Sequence, residues 1–263
     1  MKIATWNVNS LTVRLPQVLD WLATQKAEGG VDVLALQELK LTDDKFPLAA
    51  FTEAGYQAQW FGQKTYNGVA LISSAAGADV VKNIPGFEDD MSRVIGATYP
   101  DGTGDQVRVI GAYFPNGQAP DSDKFVYKMR WLDALRDWVG SEMQKHPKLV
   151  LLGDYNITFD ELDMWDPVAL AGTIHCTDAE REKLQALIDL GLTDSFRLFD
   201  QPEKSYSWWD YREFAFRRNR GLRIDHILIS EALKARATGC VIDRAPRKNE
   251  RPSDHAPVVL TLA

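Results

Sequence analysis

The segment Lys148–Asn156 reads Lys-Leu-Val-Leu-Leu-Gly-Asp-Tyr-Asn, so that four consecutive apolar residues are followed, after one glycine, by an acid and an amide. A short apolar run without alternation is typical of a strand that is covered on both faces of its sheet. Because such a strand fixes where its end lies, Asp154 and Asn156 are expected at the carboxyl edge of a sheet, where α/β folds bind their ligands. An acid or amide after a strand is more often a turn residue, so this segment alone is weak support for a site.

Similar runs recur along the whole chain and alternate with helical periodicity. We predict strands at Lys2–Val8, Val31–Leu36, Gly68–Ser73, Val94–Tyr99, Val107–Phe114, Lys148–Gly153, Leu222–Ser230 and Val258–Leu262. Helices are predicted at Leu15–Thr24, Phe125–Met143 and Asp178–Leu190, the last after a Thr177–Glu180 capping box. The pattern indicates one α/β domain over residues 1–263, with two packed sheets and helices outside them.

The composition is that of a globular protein with an uneven charge distribution. The chain has 263 residues, 45% of them hydrophobic, and a net charge of −7. A negative chain does not resemble a passive nucleic-acid coat, because counterion release favours a surplus of lysine and arginine. However, Lys204–Arg251 holds 12 basic and six acidic residues, which leaves −13 for the remainder.

Aromatic residues lie among the arginines of this basic segment. Bases stack on such rings, so the segment is a candidate for contact with nucleic acid. A solvated surface for the charges and core packing for the rings are the alternatives. The aromatic residues concerned are Trp208, Trp209, Tyr211, Phe214 and Phe216.

Cysteine usage and the N-terminus bear on the compartment. Cys176 and Cys240 are isolated, without a CxxC motif or a His/Cys cluster, which argues against a zinc site or a disulfide framework. The segment after Met1 has no apolar signal core, and no run approaches the length of a membrane span. We therefore expect a cytoplasmic, nucleoid-associated protein without a membrane partner, with a monomer as the default.

Polar side chains follow several of the predicted strands. Convergence of these side chains in one crevice requires a sheet that holds the strand ends together, which is the usual place for a binding site. The clusters are Trp6–Asn9, Leu36–Glu38, Leu152–Asn156 and Ser253–His255, with Tyr113 and Asp225 in addition.

The motifs, in number and order, resemble those of the exonuclease III family of abasic endonucleases, and the match spans essentially the whole chain. They are Thr5–Ser10, Leu36–Lys40, Tyr66–Ala70, Gly153–Ile157, Trp208–Arg212, Asn219–Asp225 and Pro252–Pro257. The resemblance implies a four-layered α/β sandwich, with two packed mixed sheets flanked by helices, as in deoxyribonuclease I. It also implies hydrolysis of phosphodiesters with Mg²⁺ or Mn²⁺ in DNA repair, on duplex DNA with abasic sites, nicks or blocked 3′ ends.

The resemblance also implies a metal site built from oxygen ligands. Mg²⁺ prefers hard oxygens and keeps several waters, so one or two carboxylates suffice. Glu38 is the first candidate ligand, Asn7 helps to hold the metal, and Asp254 contributes a second carboxylate, directly or through water. A second metal site would use Asp154, Asn156 and His255.

The catalytic roles follow the same resemblance. Asp154 would be the general base for the attacking water, oriented by Asn156, since such a base must lie within hydrogen-bond reach. Asp225 would orient His255 beside the phosphate, and Tyr113 would donate to a phosphate oxygen. Candidate DNA contacts are Asn116, Lys124, Trp209, Phe216, Arg220 and Leu222, with Lys64, Lys128 and Arg217–Arg223 as further backbone contacts that have a solvated surface as the alternative.

His175 is the one departure from the family pattern, because a small residue is expected in its place in many abasic endonucleases. An imidazole at the mouth of the sugar pocket would exclude a flipped internal sugar and leave a frayed 3′ end accessible. The alternative is a His175 that points to solvent and changes nothing. The sequence therefore predicts a 3′-5′ exonuclease and 3′-phosphodiesterase or phosphatase, with abasic-site cleavage retained or weakened.

Three other functions remain as alternatives. A full abasic endonuclease is the runner-up. The same fold also hosts inositol and lipid phosphatases, although this chain has no amphipathic anchor. A DNA-binding relative without catalysis is disfavoured, because every matched catalytic position is present.

Overall fold

The computed structural model describes residues 1–263 and contains 12 strands and six α-helices. The strands are β1 (Lys2–Asn7), β2 (Val33–Gln37), β3 (Gln57–Phe61), β4 (Val69–Ser73), β5 (Ala78–Lys82), β6 (Val94–Pro100), β7 (Gln106–Tyr113), β8 (Leu149–Asp154), β9 (Leu192–Asp194), β10 (Asp225–Ser230), β11 (Ala237–Ile242) and β12 (Val258–Leu262). The helices are α1 (Leu11–Ala27), α2 (Leu48–Glu53), α3 (Asp123–Lys145), α4 (Pro167–Leu170), α5 (Asp178–Ile188) and α6 (Glu231–Lys234). No helix in the structure is both long and apolar enough to cross a membrane.

The strands form two six-stranded sheets of matching design. The orders are β11-β12-β1-β2-β4-β3 and β5-β6-β7-β8-β10-β9. In each sheet the central pair, β1 with β2 and β7 with β8, is parallel, and the other pairs are antiparallel. Both sheets are therefore mixed, as expected.

Apolar side chains fill the space between the sheets and the space under the helices. The inter-sheet core draws on both sheets, for example on Ile3 and Val150. A second cluster lies between the first sheet and α1 and α2, and a third between the second sheet and α3 and α5. The layers run helix, sheet, sheet, helix, which confirms the predicted four-layered sandwich.

The four strands that the sequence pattern did not predict are β3, β5, β9 and β11, and these are the four edge strands of the two sheets. An edge strand pairs on one side only and is less covered, so it does not need a continuous apolar sequence. Strand β5, with Ala78, Asp79 and Val80 exposed, illustrates this. All eight predicted strands have a neighbouring strand on both sides.

The sheet registers bring the polar strand ends together. Asn7 at the end of β1 pairs with Gln37, directly before Glu38. Asp154 at the end of β8 pairs with Tyr113 on one side and Asp225 on the other. Glycine is required before Asp154, because a Cβ on Gly153 would lie 1.8 Å from the Ala112 carbonyl oxygen.

Candidate active site

Three titratable side chains converge between the two sheets. The ligand atoms of Glu38, Asp154 and His255 lie within 4.8 Å of one another. The Asn7 amide connects the two acids, since its Nδ2 donates to Glu38 Oε1 at 2.8 Å and to Asp154 Oδ2 at 2.9 Å. Carboxylates accept only, so the amide nitrogen must face them.

His255 lies between two carboxylates and is 4% exposed. Its Nδ1 is 2.8 Å from Asp225 Oδ2, and its Nε2 is 3.6 Å from Asp154 Oδ2. Burial opposes the charge, but Asp225 and Asp154 outweigh it and raise the pKa of His255 to about 10. The imidazole is therefore protonated at neutral pH.

Asp154 is buried and held from both sides. Its Oδ1 accepts the Asn156 backbone N–H at 2.9 Å, and its Oδ2 faces Asn7 and His255. Burial raises the pKa of Asp154 to about 7 against the opposing charge of His255. A carboxyl group with a pKa near the working pH is well suited to accept a proton from water.

Tyr113 and Asn116 border the acids and supply hydrogen-bond donors. Burial, together with the charges of Glu38 and Asp154, raises the pKa of Tyr113 well above its ordinary value, so its hydroxyl keeps its proton. Asn116 is exposed, with its Nδ2 at 3.5 Å from Asn156 Oδ1. Both residues line a cleft of about 470 Å³, which Lys124 also borders.

Several loops of the site hold non-glycine residues in the left-handed region. The φ angles are 44° at Asn9, 54° at Glu38, 52° at Asn156 and 72° at His175. Asparagine tolerates this region, whereas glutamate and histidine adopt it at a cost of roughly 1–2 kcal/mol. Such conformations cluster at functional sites, where the surrounding contacts hold them.

Two predicted metal ligands have other partners in the structure. Asn7 Oδ1 accepts the Asn9 backbone N–H at 2.9 Å while Nδ2 faces the acids, so in this arrangement Asn7 is a hydrogen-bond bridge between Glu38 and Asp154. The two oxygens of Asp254 accept from Asn9 Nδ2 at 3.0 Å and Trp208 Nε1 at 2.9 Å. Asp254 is outside the converging group, because its carboxylate is used to fix the neighbouring loop.

The predicted aromatic contacts divide between two clusters. Trp209 is fully buried, packed edge-to-face on Phe216 at 5.0 Å between ring centroids, so a direct contact of Trp209 with DNA is contradicted. Phe216 is partly covered by Arg244 and Arg247. Leu222 belongs to a separate apolar cluster with Met164, Cys176 and Ile224, against which Trp208 packs.

The predicted basic contacts also separate by burial. Lys128 and Arg223 are buried, which contradicts their prediction as surface contacts to the DNA backbone. Arg223 is neutralised by Asp163 and Asp194, at 2.7 and 2.8 Å. The exposed Lys124, and Arg220, whose guanidinium lies 4.9 Å from the Trp165 ring centroid, remain candidates.

His175 is 9% exposed and does not point to solvent, so the alternative of an idle surface histidine is wrong. Its Nδ1 lies 2.7 Å from the Asn156 carbonyl oxygen. Burial, together with the charges of Lys128 and His255, lowers its pKa to about 3. The neutral ring is thus bonded to Asn156, and the next residue, Cys176, packs in the apolar cluster of Leu222.

Four functional residues were not assigned from the sequence. Asn9 and Lys40 lie in quoted motifs: Lys40 Nζ is 2.9 Å from Glu38 Oε2 and 2.5 Å from Asn9 Oδ1. Trp208, next to Trp209, holds Asp254. Glu180 was recognised only as a capping residue, and no sequence signal marked its ion pair with Lys128.

Comparisons with known proteins show which family the chain and its fold resemble. The sequence model of the endonuclease/exonuclease/phosphatase family matches residues 4–255. A relative from Haemophilus influenzae, exodeoxyribonuclease III, is 34% identical over 98% of each chain. The structure of the 3′ phosphatase NExo from Neisseria, bound to a product DNA hairpin, is similar with a TM-score of 0.94 and 49% identity over 100% of this chain and 99% of that one. An AP endonuclease from Archaeoglobus fulgidus has a TM-score of 0.92 and 34% identity over the same shares of the two chains.

Proposed function

The chain belongs to the endonuclease/exonuclease/phosphatase family as a nuclease of the exonuclease III type, and on that premise we propose that it processes the 3′ ends of duplex DNA. The proposed reactions are removal of 3′-phosphate and other 3′ blocks and 3′-5′ exonuclease cleavage. Incision at internal abasic sites would be the weaker activity. The Neisseria 3′ phosphatase, at 49% identity, supports this choice.

The observation that carries the proposal is the buried chain of contacts from Asp225 through His255 and Asp154 to Asn7 and Glu38. It places a positive imidazolium beside a carboxylate whose pKa is raised by burial. Groups with pKa values driven apart at one site are typical of acid-base catalysis.

The same group of side chains fits a divalent cation. Glu38 and Asp154 offer hard carboxylate oxygens within 4.8 Å of each other, which suits Mg²⁺ or Mn²⁺. When bound there, such an ion would polarise a phosphoryl oxygen and offset charge on the leaving oxygen. Glu38 would be the principal ligand.

The remaining chemistry belongs to the protein. Asp154 accepts a proton from the attacking water, and the Asn156 N–H fixes the carboxylate that does so. The protonated His255 and the neutral hydroxyl of Tyr113 stabilise charge on the phosphate oxygens. In-line attack leaves a 3′-hydroxyl, with inorganic phosphate or a 5′-phosphate as the other product.

His175 would restrict the substrate. The imidazole is buried and bonded to the Asn156 carbonyl oxygen, and the resemblance places it at the mouth of the sugar pocket, of which Leu222 would form a wall. A flipped internal sugar needs that space, whereas a terminal group can reach the phosphate site from the open side.

A duplex with a 3′-phosphate and a duplex with an internal abasic analogue test the proposal. We expect the purified protein to release phosphate from the first substrate with Mg²⁺ or Mn²⁺, to lose this activity in a chelator, and to regain it when metal is restored. Absence of turnover on both substrates would refute the nuclease assignment. Efficient incision of the internal analogue would instead favour the full abasic endonuclease, which the Archaeoglobus structure supports.

His175→Gly tests whether the His175 ring excludes internal abasic sites. Glycine adopts a φ of 72° without the cost that histidine incurs, which offsets part of the packing and of the hydrogen bond to Asn156 that are lost with the ring. We expect incision of the internal analogue to increase by roughly 10-fold relative to 3′-phosphate release, as steric exclusion by one ring predicts. An unchanged ratio of the two activities would contradict the restriction.

A further inference from the structure

A fully buried ion pair lies directly behind the proposed active site. Lys128 on α3 and Glu180 on α5 are both 0% exposed, with Nζ and Oε1 at 2.5 Å. Removing two charges from water costs several kcal/mol for each ion, and apolar residues of similar volume often replace such a pair without loss of stability. Packing alone therefore does not account for the pair.

The other hydrogen bonds of Lys128 go to two residues of the site. Its Nζ donates to the Asn156 carbonyl oxygen at 2.8 Å and to the Asn116 carbonyl oxygen at 3.2 Å. An ammonium group has three N–H donors, so these two carbonyls and Glu180 satisfy it completely. Lys128 thus has no donor left for a DNA phosphate.

His175 is bound to the same pair through both its backbone and its ring. Its backbone N–H donates to Glu180 Oε1 at 3.2 Å, and its Nδ1 donates to the Asn156 carbonyl oxygen at 2.7 Å. The contacts form a closed ring from the His175 backbone through Glu180, Lys128 and Asn156 back to the imidazole. Because a carbonyl only accepts, Nδ1 must carry the proton, which fixes the tautomer and the ring orientation.

Further hydrogen bonds fix Glu180 and the His175 backbone in place. The second Glu180 oxygen accepts from the Thr177 backbone N–H at 3.1 Å and from Thr177 Oγ1 at 2.8 Å, which ties the carboxylate to the start of α5. The His175 carbonyl oxygen accepts from the Thr158 backbone N–H at 2.8 Å. These contacts hold His175 at its unfavourable φ of 72°.

We infer that Lys128 and Glu180 are positioning residues that hold the His175 imidazole across the sugar pocket and thereby set the preference for 3′ ends over internal abasic sites. This inference rests on the restriction proposed above and adds what fixes the ring. Neither residue touches the reacting atoms. Loosening the pair lets the ring leave the pocket, so the internal substrate gains relative to the terminal one.

The chain contains a matched control pair. Arg108 and Glu142 are 2% and 6% exposed, lie 2.8 Å apart and join β7 to α3, but neither contacts a residue of the site. Glu142→Gln leaves the Arg108 guanidinium buried without its carboxylate, as Glu180→Gln does for the Lys128 ammonium, whereas Arg108→Met leaves Glu142 paired with Lys145 at 3.2 Å. Glu142→Gln is therefore the closest control for the damage from a buried unpaired charge, and a change of substrate preference is expected only for the Lys128 pair.

The experiment compares Lys128→Met and Glu180→Gln with Arg108→Met and Glu142→Gln. For each variant, kcat and KM are measured on the internal abasic analogue and on the 3′-phosphate duplex. We expect the ratio of the two kcat/KM values to shift toward the internal substrate by about fivefold or more in the first two variants, since small displacements at a site have large effects. The control variants should lower both activities together and leave the ratio unchanged.

Glu180→Gln keeps an oxygen for the capping box of α5, so it serves if Lys128→Met does not fold. Unchanged ratios in both variants, with a raised ratio in His175→Gly, would overturn the positioning role and leave the proposed restriction intact. An unchanged ratio in His175→Gly as well would overturn both. In the His175→Gly background, Lys128→Met should add no further change; a persisting shift would mean that Lys128 acts without His175 and would overturn the inference.

A spectroscopic measurement tests the positioning independently of activity. The chain has four histidines, so ring signals in a ¹⁵N-histidine sample can be assigned by substitution. We expect a Nδ1–H signal of His175 that is protected from exchange in the wild type and in Glu142→Gln and is lost in Glu180→Gln. Persistence of that protected signal in Glu180→Gln would contradict the inference.

Discussion

His255 and His175 are two histidines of one site with similar burial and opposite charge. They are 4% and 9% exposed. Two carboxylates flank His255 and raise its pKa to about 10, whereas His175 faces a carbonyl and lies near Lys128, and its pKa is lowered to about 3. Burial penalises the charged form of both, so the neighbours alone account for the difference.

The difference in charge corresponds to a difference in role. A protonated His255 can stabilise a phosphate, which a neutral ring cannot do. A neutral His175 can occupy an apolar pocket without the desolvation cost of a charge. Three predictions test this contrast, from the largest expected effect to the smallest.

The largest effect is expected from Asp154→Asn, which removes the proposed base and one flank of His255. An amide cannot accept the proton of the attacking water, so kcat on the 3′-phosphate duplex should fall by roughly 10³-fold. DNA affinity, measured with a fluorescent duplex, should be retained or increased, because a negative charge is lost. A kcat within about tenfold of the wild-type value would exclude Asp154 as the base, because a general base typically contributes more than that.

Asp225→Asn should have the next largest effect, because it removes the carboxylate 2.8 Å from His255 Nδ1. Burial then dominates, and the pKa of His255 should fall from about 10 toward or below its ordinary value. Activity should decrease by about 10²-fold at mildly alkaline pH, where the imidazole is neutral in the variant. The descending limb of the pH profile of kcat/KM should move to lower pH, and an unmoved limb would contradict the role of Asp225.

The smallest effect is expected on the stability of His175→Gln. In this variant an amide N–H replaces the ring N–H as donor, and the side chain does not titrate. The folded pKa of about 3 lies below the ordinary 6.5, so between these values the unfolded chain binds a proton that the folded chain does not. The wild type therefore loses stability as pH falls below 6.5. Relative to His175→Gln, it should lose about 2 kcal/mol between about pH 7.5 and pH 5 in urea unfolding.

His255→Gln provides the opposite sign and so a control for this measurement. The folded pKa of His255 is raised, and its stabilising contribution is complete below pH 6.5 and is lost as pH rises toward about 10. The wild type should therefore lose stability relative to His255→Gln on the alkaline side. Parallel pH curves for the wild type and both variants would contradict the opposite charges.

Much of the fold and part of the site could be predicted from local sequence. All eight predicted strands are interior, because a strand covered on both faces requires an apolar run that is visible in the sequence. The capping box at Thr177 and Glu180 was predicted and is present for the same local reason. Edge strands such as β5 left no such run, since they pair on one side only and are less covered.

The site residues show where local pattern stops being informative. Glu38, Asp154 and His255 were predicted and converge, because each follows or adjoins an apolar strand that fixes its position. Of the adjacent pair Trp208 and Trp209, the sequence favoured the residue that proves to be buried. The side chains of adjacent residues pack against different parts of the fold, and those parts are distant in the sequence.

The sequence by itself determined the positions of the interior strands along the chain, the acids that follow them and the family of the chain, since these depend on residues close together along the chain. Tertiary structure decided which basic residues are exposed, which histidine is charged and what holds His175 in place. Lys128 and Glu180 are 52 positions apart, and Asp225 and His255 are 30 apart. Burial and pKa depend on such distant neighbours, because desolvation and Coulomb interaction are set by distance in space.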